Sequence, residues 1–471
     1  MSVKISIGEG SQLITVSKID LLVKRLEPFI REVAAGIEKT GELRQTVAMS
    51  AAGYAYAAQN HPEAAAYFHI DPDTIESSFR LLTPYLFPES HTIETLEFIN
   101  RKTNKKTSLK IAHEAVLPEI QNVLYLSSSG RFSAREIHSK LQDPWDKLFN
   151  NLLARGIVAN QPRAKLDFPH ASIYRLQHAS LLYLSQTTGI LVDPHLHSAY
   201  EPLLKDNIWR FDLEGKVNCI LISHSHLDHW SLSTLMMFAK TTPIVVPKVP
   251  QASILCDNLQ QTLQRVGFEN VIAVDWYSSP IVIADVEISV LPFYGEQPLV
   301  YEQPFHPHLR NWGNTYVIKT EDYTSWFLID SGNDAQGKMA EVATYVKDKF
   351  GKIDFLLSNL RIFTAHDPFY ITGGHYWLSL SAQQMKKFPQ MQHHQLTLGA
   401  KGVAEIAQIV NARYYLPYAH WWSELGTTTA AEKLELLQLQ EAMQELNCTT
   451  EIVPWTIGDG FQNGQIRVNL R

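Results

Sequence analysis

Three imidazoles and a carboxylate crowd into six residues of the stretch Ile222-Ser-His-Ser-His-Leu-Asp-His-Trp230, directly behind the apolar run Cys219-Ile-Leu-Ile222. That run reads as a buried strand, so His224, His226, Asp228 and His229 stand in the loop at its carboxyl end. A loop so placed can fold two pairs of ligands toward one cavity, an arrangement that suits two metal ions. Solvated surface loops rarely carry His, His, Asp and His at offsets 0, 2, 4 and 5 behind a buried strand.

The motif resembles that of the metallo-β-lactamase superfamily, and the resemblance covers about Phe168 to Arg471. It implies an α/β fold, an αββα sandwich with a dinuclear site at one edge. The flanks agree. Upstream, Ile173–Leu184 and Gly189–Asp193 read as an opening β-hairpin, with Thr187-Thr188-Gly189 as the turn and Asp193 closing the second strand. Downstream, Leu232–Lys240 reads as a short helix and Thr242–Pro247 as a parallel strand.

Length and composition bound the rest. A chain of 471 residues, 45% hydrophobic and 10% aromatic, can bury one large or two ordinary cores. The 41 basic against 48 acidic residues give a formal net charge of -7, which offers nucleic acid no global attraction. Cys219, Cys256 and Cys448 are too few and too far apart for a disulfide framework or a cysteine-based zinc finger, and a reducing cytoplasm fits them. Neither a signal sequence nor a membrane-spanning run is expected.

Before residue 165 the texture is helical. Leu22, Leu26, Phe29, Ile30, Val33 and Ile37 recur at helical spacing, interrupted by Pro28. Residues 48–66 are alanine-rich, as in close helix packing. Ser133-Ala-Arg-Glu136 is a capping box, and Asp143-Pro-Trp-Asp146 suggests that Asp143 caps a second short helix. With Ile157-Val-Ala159 this pair has the outline of a winged helix, but its mixed charge favours a structural or docking role over DNA reading. The polar segment Asn160–Lys165 reads as a boundary between a mainly helical N-terminal docking or dimerisation domain, 1–165, and a metal-binding catalytic domain, 166–471. Arg101, Lys102, Lys105, Lys106 and Lys110 form a basic cluster, which is either a solvated turn or an electrostatic dock for an acidic partner.

Two metals need further ligands. By the resemblance, Asp330 in Trp326-Phe-Leu-Ile-Asp330 matches the bridging carboxylate, and His420 in Arg413-Tyr-Tyr-Leu-Pro-Tyr-Ala-His420 matches the last imidazole. His366, His375, His393 and His394 lie in loop-like contexts better suited to the surroundings of the site. Where hydrolytic members carry a third-motif His, the strand Val286–Leu291 leads instead to Glu296. This glutamate is either a turn residue or a ligand, and His306 or His308 could deliver an imidazole by way of a loop.

An added carboxylate favours iron over zinc, because hard oxygen donors stabilise its higher oxidation states. Here the chain resembles a narrower branch, the di-iron β-hydroxylases of the kind that acts in chloramphenicol biosynthesis. That resemblance implies Glu296, His224 and His226 on one iron, Asp228, His229 and His420 on the other, and Asp330 between them. It further implies an O2-dependent monooxygenase that hydroxylates an aminoacyl thioester on a peptidyl carrier protein. An external electron donor would be required, since no flavin or dinucleotide fingerprint occurs. Tyr294, Trp312, Tyr418, Trp421 and Trp422 either line its pocket or fill the core. The alternative is a dinuclear zinc hydrolase of a phosphodiester, lactone or thioester, with Asp228 orienting a metal-bound hydroxide.

Overall fold

The strand sequences leave two buried faces to cover, and the fold covers both. In the computed structural model, which describes residues 3–40, 62–69, 80–169, 172–197, 208–299, 302–364, 375–381, 384, 394–419, 429–462 and 465–469, two β-sheets pack face to face. Val290, Tyr316, Ile318 and Phe327 point into the layer between the sheets. Their chain neighbours Leu291, Val317, Trp326 and Leu328 point outward, under the helices Met339–Phe350, Gly399–Ile409 and Ala430–Glu445. Alternate residues thus serve two cores, which is why these strands read as continuous apolar runs.

The first sheet has the strand order Val271–Val274, Ile244–Pro247, Cys219–Leu221, Gly189–Val192, Leu181–Leu184, Ser172–Arg175, Asp459–Gln462, Gln465–Asn469. Its first four strands are mutually parallel. The second runs Ile281–Ile283, Val286–Pro292, Asn314–Lys319, Thr324–Ile329, Phe355–Ser358, Tyr414–Pro417, Glu451–Ile452, with its last four strands parallel. Helices Leu117–Ser128, Trp145–Ala154 and Leu259–Val266 cover the outer face of the first sheet. The layer order is therefore αββα.

The expected hairpin forms, Leu181–Leu184 pairing antiparallel with Gly189–Val192, but its first arm, Ile173–Leu184, is two strands rather than one. Strands Ser172–Arg175 and Leu181–Leu184 pair antiparallel, and the chain reverses between them, where Ser180 N donates to Gln177 O at 2.9 Å. Several N-terminal expectations are refined. The described part is mixed rather than mainly helical: Ser11–Ser17, Ile93–Asn100 and Lys105–Lys110 form an antiparallel sheet, and Ile5–Ile7 pairs with Val158–Asn160. The helix Lys18–Thr40 runs through Pro28 without ending. The Ser133 capping box forms, but Asp143 caps nothing and instead pairs with Lys147 at 2.8 Å. Of the alanine-rich stretch, 48–61 lies outside the described residues. Ile5, Ile7, Leu13, Leu96 and Phe98 join the core beneath the first sheet, so residues on both sides of position 165 share one apolar cluster.

At one edge the two sheets are stitched together. Asn314 N donates to Ser223 O at 2.8 Å, Tyr316 Oη donates to Ile222 O at 2.6 Å, and His224 bridges to Gly313. A side chain on Gly313 would collide with Phe293, whose ring stacks on His224. Replacing Tyr316 by Phe should leave the buried Ile222 carbonyl without this donor and cost about 1–3 kcal/mol. A lowered urea midpoint at an unchanged slope would show it; an unchanged midpoint would mean that the stitch contributes nothing.

Candidate metal centre

Strand ends deliver the site. Cys219–Leu221 leads to His224, His226, Asp228 and His229; Val286–Pro292 leads to Glu296; Thr324–Ile329 leads to Asp330; and Gly189–Val192 leads to Asp193. Six of the seven residues expected at a metal site come together, in the groups His224–His226–Glu296 and His224–His229–Asp330, with Asp228 beside His229. The seventh, His420, follows the strand Tyr414–Pro417 and lies outside the described residues, as do His366, His393, Trp421 and Trp422.

Within the first group, Glu296 Oε2 lies 2.8 Å from His226 Nδ1 and 3.3 Å from His224 Nε2. His224 Nε2 and Glu296 Oε2 are both buried and make no hydrogen bond among the described residues, the arrangement of ligands aimed at a shared point rather than at each other. In the second group His229 Nε2 is 2.7 Å from Asp330 Oδ2 and 3.6 Å from Asp228 Oδ2.

The opposite nitrogen of each ring is engaged by the protein. His229 Nδ1 lies 3.0 Å from Asp193 Oδ2, His224 Nδ1 lies 2.9 Å from Ser223 Oγ, and Ser223 Oγ donates to Asp193 Oδ2 at 2.5 Å. His226 Nε2 lies 3.3 Å from Tyr376 Oη, which donates in turn to the backbone carbonyl of Glu296. This network assigns the inner nitrogens Nε2, Nδ1 and Nε2 of His224, His226 and His229 as the lone-pair bearers a metal requires. Three imidazoles and the carboxylates of Asp228, Glu296 and Asp330 therefore fit a dinuclear metal site.

Backbone strain gathers here. Glu296 (φ 47), Ile329 (φ 58), Asp193 (φ 40), His178 (φ 49) and Ala419 (φ 64) all adopt the left-handed region, which costs most at the β-branched Ile329. Gly332 lets the Glu296 and Asp330 loops close on each other: its N–H donates to Tyr294 O at 2.7 Å, and any Cβ would strike the Leu396 carbonyl, to which Glu296 N donates at 3.0 Å.

Charge follows the packing. Burial, with His229 alongside, holds His224 below the usual imidazole range. Burial also opposes the charged form of His226, but Glu296 outweighs it and the net shift is upward. His229 is raised well above the usual value, since Asp228 and Asp330 overcome burial. Glu296 is lowered: burial resists ionisation, and His226 and His224 prevail.

The sequence reading missed His178, whose Nε2 sits 3.1 Å from Asp228 Oδ2 and which forms a further potential ligand group with Asp228 and His229. It was hidden because Ile173–Leu184 reads as one strand; the polar residues Gln177, His178 and Ser180 inside that run were the available signal. Tyr376, on the short helix His375–Leu378, was also missed. His306 and His308 lie elsewhere: the His306 ring packs on Phe87, and His308 Nδ1 meets Gln251 Oε1 at 2.8 Å. Tyr418 fills the layer between the sheets, whereas Tyr294 and Trp312 both pack on Trp276.

No family model matches the chain. A search of curated proteins finds 30% identity over 172 residues with the 4-amino-L-phenylalanyl-[CmlP-peptidyl-carrier-protein] 3-hydroxylase of Streptomyces venezuelae. This match spans 36% of the present chain and 30% of that enzyme's length. Among solved structures, CmlA, a diiron β-hydroxylase from Streptomyces venezuelae, superposes with a TM-score of 0.59 at 15% identity, covering 96% of this chain and 98% of that one. The metallo-β-lactamase fold protein YhfI from Bacillus subtilis covers 62% of the chain at a TM-score of 0.37 and 14% identity, a likeness too slight to reason from. The chain has a metallo-β-lactamase fold and is similar to CmlA.

Two tests follow from the geometry. Tyr376→Phe removes the hydroxyl shared by His226 and the Glu296 carbonyl, so metal affinity should fall about 10–100-fold, read by chelator competition on folded protein. An affinity equal to wild type would show that Tyr376 does not orient His226. Because His226 and His229 hold protons to higher pH than a free imidazole, metal must displace them, and its apparent affinity should climb as pH rises. Calorimetry in buffers of differing ionisation enthalpy should detect the released protons.

Proposed function

We propose that this chain is an O2-dependent di-iron monooxygenase that hydroxylates an aminoacyl group carried as a thioester on a peptidyl carrier protein. The observation that carries this reading is Glu296 buried against His224 and His226, in a place where a zinc hydrolase of the same fold would present a third imidazole. Three carboxylates around one centre supply the hard donors that iron favours. The likeness to CmlA, and the carrier-bound substrate named for the matching enzyme, point the same way.

On this reading His224, His226 and Glu296 would hold one iron, Asp228, His229 and His420 would hold the other, and Asp330 would serve both. The irons would supply dioxygen activation, with electrons from an external donor. The chain's own residues do the rest. Asp193 and Ser223 fix the ring orientations of His229 and His224, and Tyr376 fixes that of His226. Buried neighbours such as Phe293 keep bulk water from His224.

Residues 1–165 are assigned to docking or dimerisation and 166–471 to catalysis. The basic cluster lies on and beside the hairpin of Ile93–Asn100 and Lys105–Lys110. Lys106 pairs with Glu97 at 2.9 Å and Lys102 with Glu9, whereas Lys105 and Lys110 have no carboxylate partner among the described residues. An acidic carrier would dock in part against Arg101, Lys102, Lys105, Lys106 and Lys110. Among the described residues no helix is long and apolar enough to cross a membrane.

Metal analysis of protein purified without added metal should find about two irons per chain, as the carboxylate-rich donor set favours. Glu296→Gln should lose iron or oxygen-dependent turnover of an aminoacyl carrier while remaining folded. Zinc at both positions, with hydrolytic turnover surviving anaerobically, would replace the oxygenase reading with the hydrolase.

A further inference from the structure

Glu296 lies in a turn, outside any strand or helix that could hold it. Gly295 (φ 88) and Glu296 (φ 47) both adopt the left-handed region, and a side chain at position 295 would strike Gly332 N and the Leu396 carbonyl. Two consecutive left-handed residues persist only where their surroundings over-determine them. Here all four backbone polar groups of the pair are engaged. Gly295 N donates to Asp334 Oδ2 at 3.1 Å, and Gln297 Nε2 donates to Gly295 O at 2.9 Å. Glu296 N donates to Leu396 O at 3.0 Å, and Tyr376 Oη donates to Glu296 O.

Two of these partners lead to one segment, residues 310–314. The buried amide of Gln297 reaches it directly: besides Gly295 O, its Nε2 donates to Asn311 O at 2.9 Å, and its Oε1 accepts from Asn311 N at 2.9 Å. Asp334 reaches it through Arg310, whose Nη2 donates to Asp334 Oδ2 at 3.0 Å in an ion pair with both side chains 2% exposed. The same segment grips the histidines. Gly313 forms a bridge with His224, and Asn314 N donates to Ser223 O at 2.8 Å. Residues 310–314 are thus a common frame, tied to the Glu296 turn at one end and to the His224 backbone at the other.

An ion pair buried this deeply adds little stability over an apolar pair of the same size. What a fully bonded polar network supplies is a unique geometry. Geometry is what the Glu296 carboxylate needs, since its Oε2 must stay beside His226 Nδ1 and His224 Nε2, 2.8 and 3.3 Å away. We propose that Gln297 and the Arg310–Asp334 pair are positioning residues of the metal centre, which hold the strained Glu296 turn and set its carboxylate against His224 and His226 by way of residues 310–314. The proposal rests on the reading of Glu296 as a metal ligand, and is independent of whether the metal is iron and of what the substrate is. With either grip lost, the turn relaxes toward ordinary backbone angles and the carboxylate swings away from the imidazoles.

The probe is cobalt(II), added anaerobically to metal-free, full-length protein, with coordination followed by visible absorption and affinity by chelator competition. Gln297→Met keeps the length of the side chain and removes its three hydrogen bonds. Arg310→Met combined with Asp334→Leu replaces the ion pair by apolar side chains, which a core tolerates, and removes the acceptor of Gly295 N. Each should weaken one of two metal equivalents about 10–100-fold and alter its absorption bands, while the other equivalent stays near wild type. Glu296→Gln should weaken the same equivalent, and adding Gln297→Met to it should cause no further loss, because residues that act through one another are not additive. Should Gln297→Met not fold, the Arg310–Asp334 replacement takes its place in that combination. Ser133→Ala, which removes the cap of the helix Ala134–His138, also lowers stability but should leave the cobalt spectrum unchanged. Wild-type affinity and spectrum in both the Gln297 and the Arg310–Asp334 variants, or losses that multiply when combined with Glu296→Gln, overturn the positioning role. Unchanged cobalt binding in Glu296→Gln itself overturns the ligand reading on which that role rests.

Discussion

Burying three imidazoles among four carboxylates is the constraint around which the rest of the molecule is arranged. His224, His226 and His229 are almost wholly inaccessible, as are Asp193, Glu296 and Asp330. Without compensation each charge would carry a large desolvation cost. Asp193 does much of the compensating, since its carboxylate accepts from Ser223 N, Ser223 Oγ and His229 Nδ1 at once. One side chain at the end of Gly189–Val192 therefore fixes the backbone entering the His-rich loop, and the rotation of two rings within it. Inner nitrogens and carboxylate oxygens are left facing one another, an arrangement that metal ions satisfy better than protons do.

Holding that arrangement requires both sheets to end at the same place. The parallel strands of the first sheet bring Asp193 and the His-rich loop to one edge, and the second sheet brings Glu296 and Asp330 to it. Left-handed residues appear at three of these four strand ends, Asp193, Glu296 and Ile329, because a chain leaving a strand there must turn sharply to aim a short side chain back at the edge. The well-packed layer between the sheets absorbs this strain, with Tyr183, Tyr316, Phe327 and Leu416 all essentially fully buried.

The N-terminal region is bound into the same scheme. Leu13, Leu96 and Phe98 complete the apolar cluster under the first sheet, and Ser233 Oγ donates to Leu13 O at 3.0 Å. Removing this region would expose that face and also take away one wall of a cavity that opens beside His226. The cavity and the fold therefore draw on the same contacts.

Local chemistry was legible in the sequence. The offsets of His224, His226, Asp228 and His229, the alternation through Val286, Ile288 and Val290, and the Ser133 capping box each depend on neighbours only a few residues away. Glu296 and Asp330 were visible as residues just past apolar strands, which is where a sheet edge presents its side chains. What tertiary structure alone decided was convergence. His178 joined the site because the chain reverses after Gln177, and Tyr376 because a short helix carries it to His226 across 150 positions. Asp20 and Asp257 came to share a cavity although each, read in sequence, was an ordinary polar residue. Pattern along a chain reports which face of an element is buried; which elements meet is set by the packing of two sheets and a third unit, information that no local spacing contains.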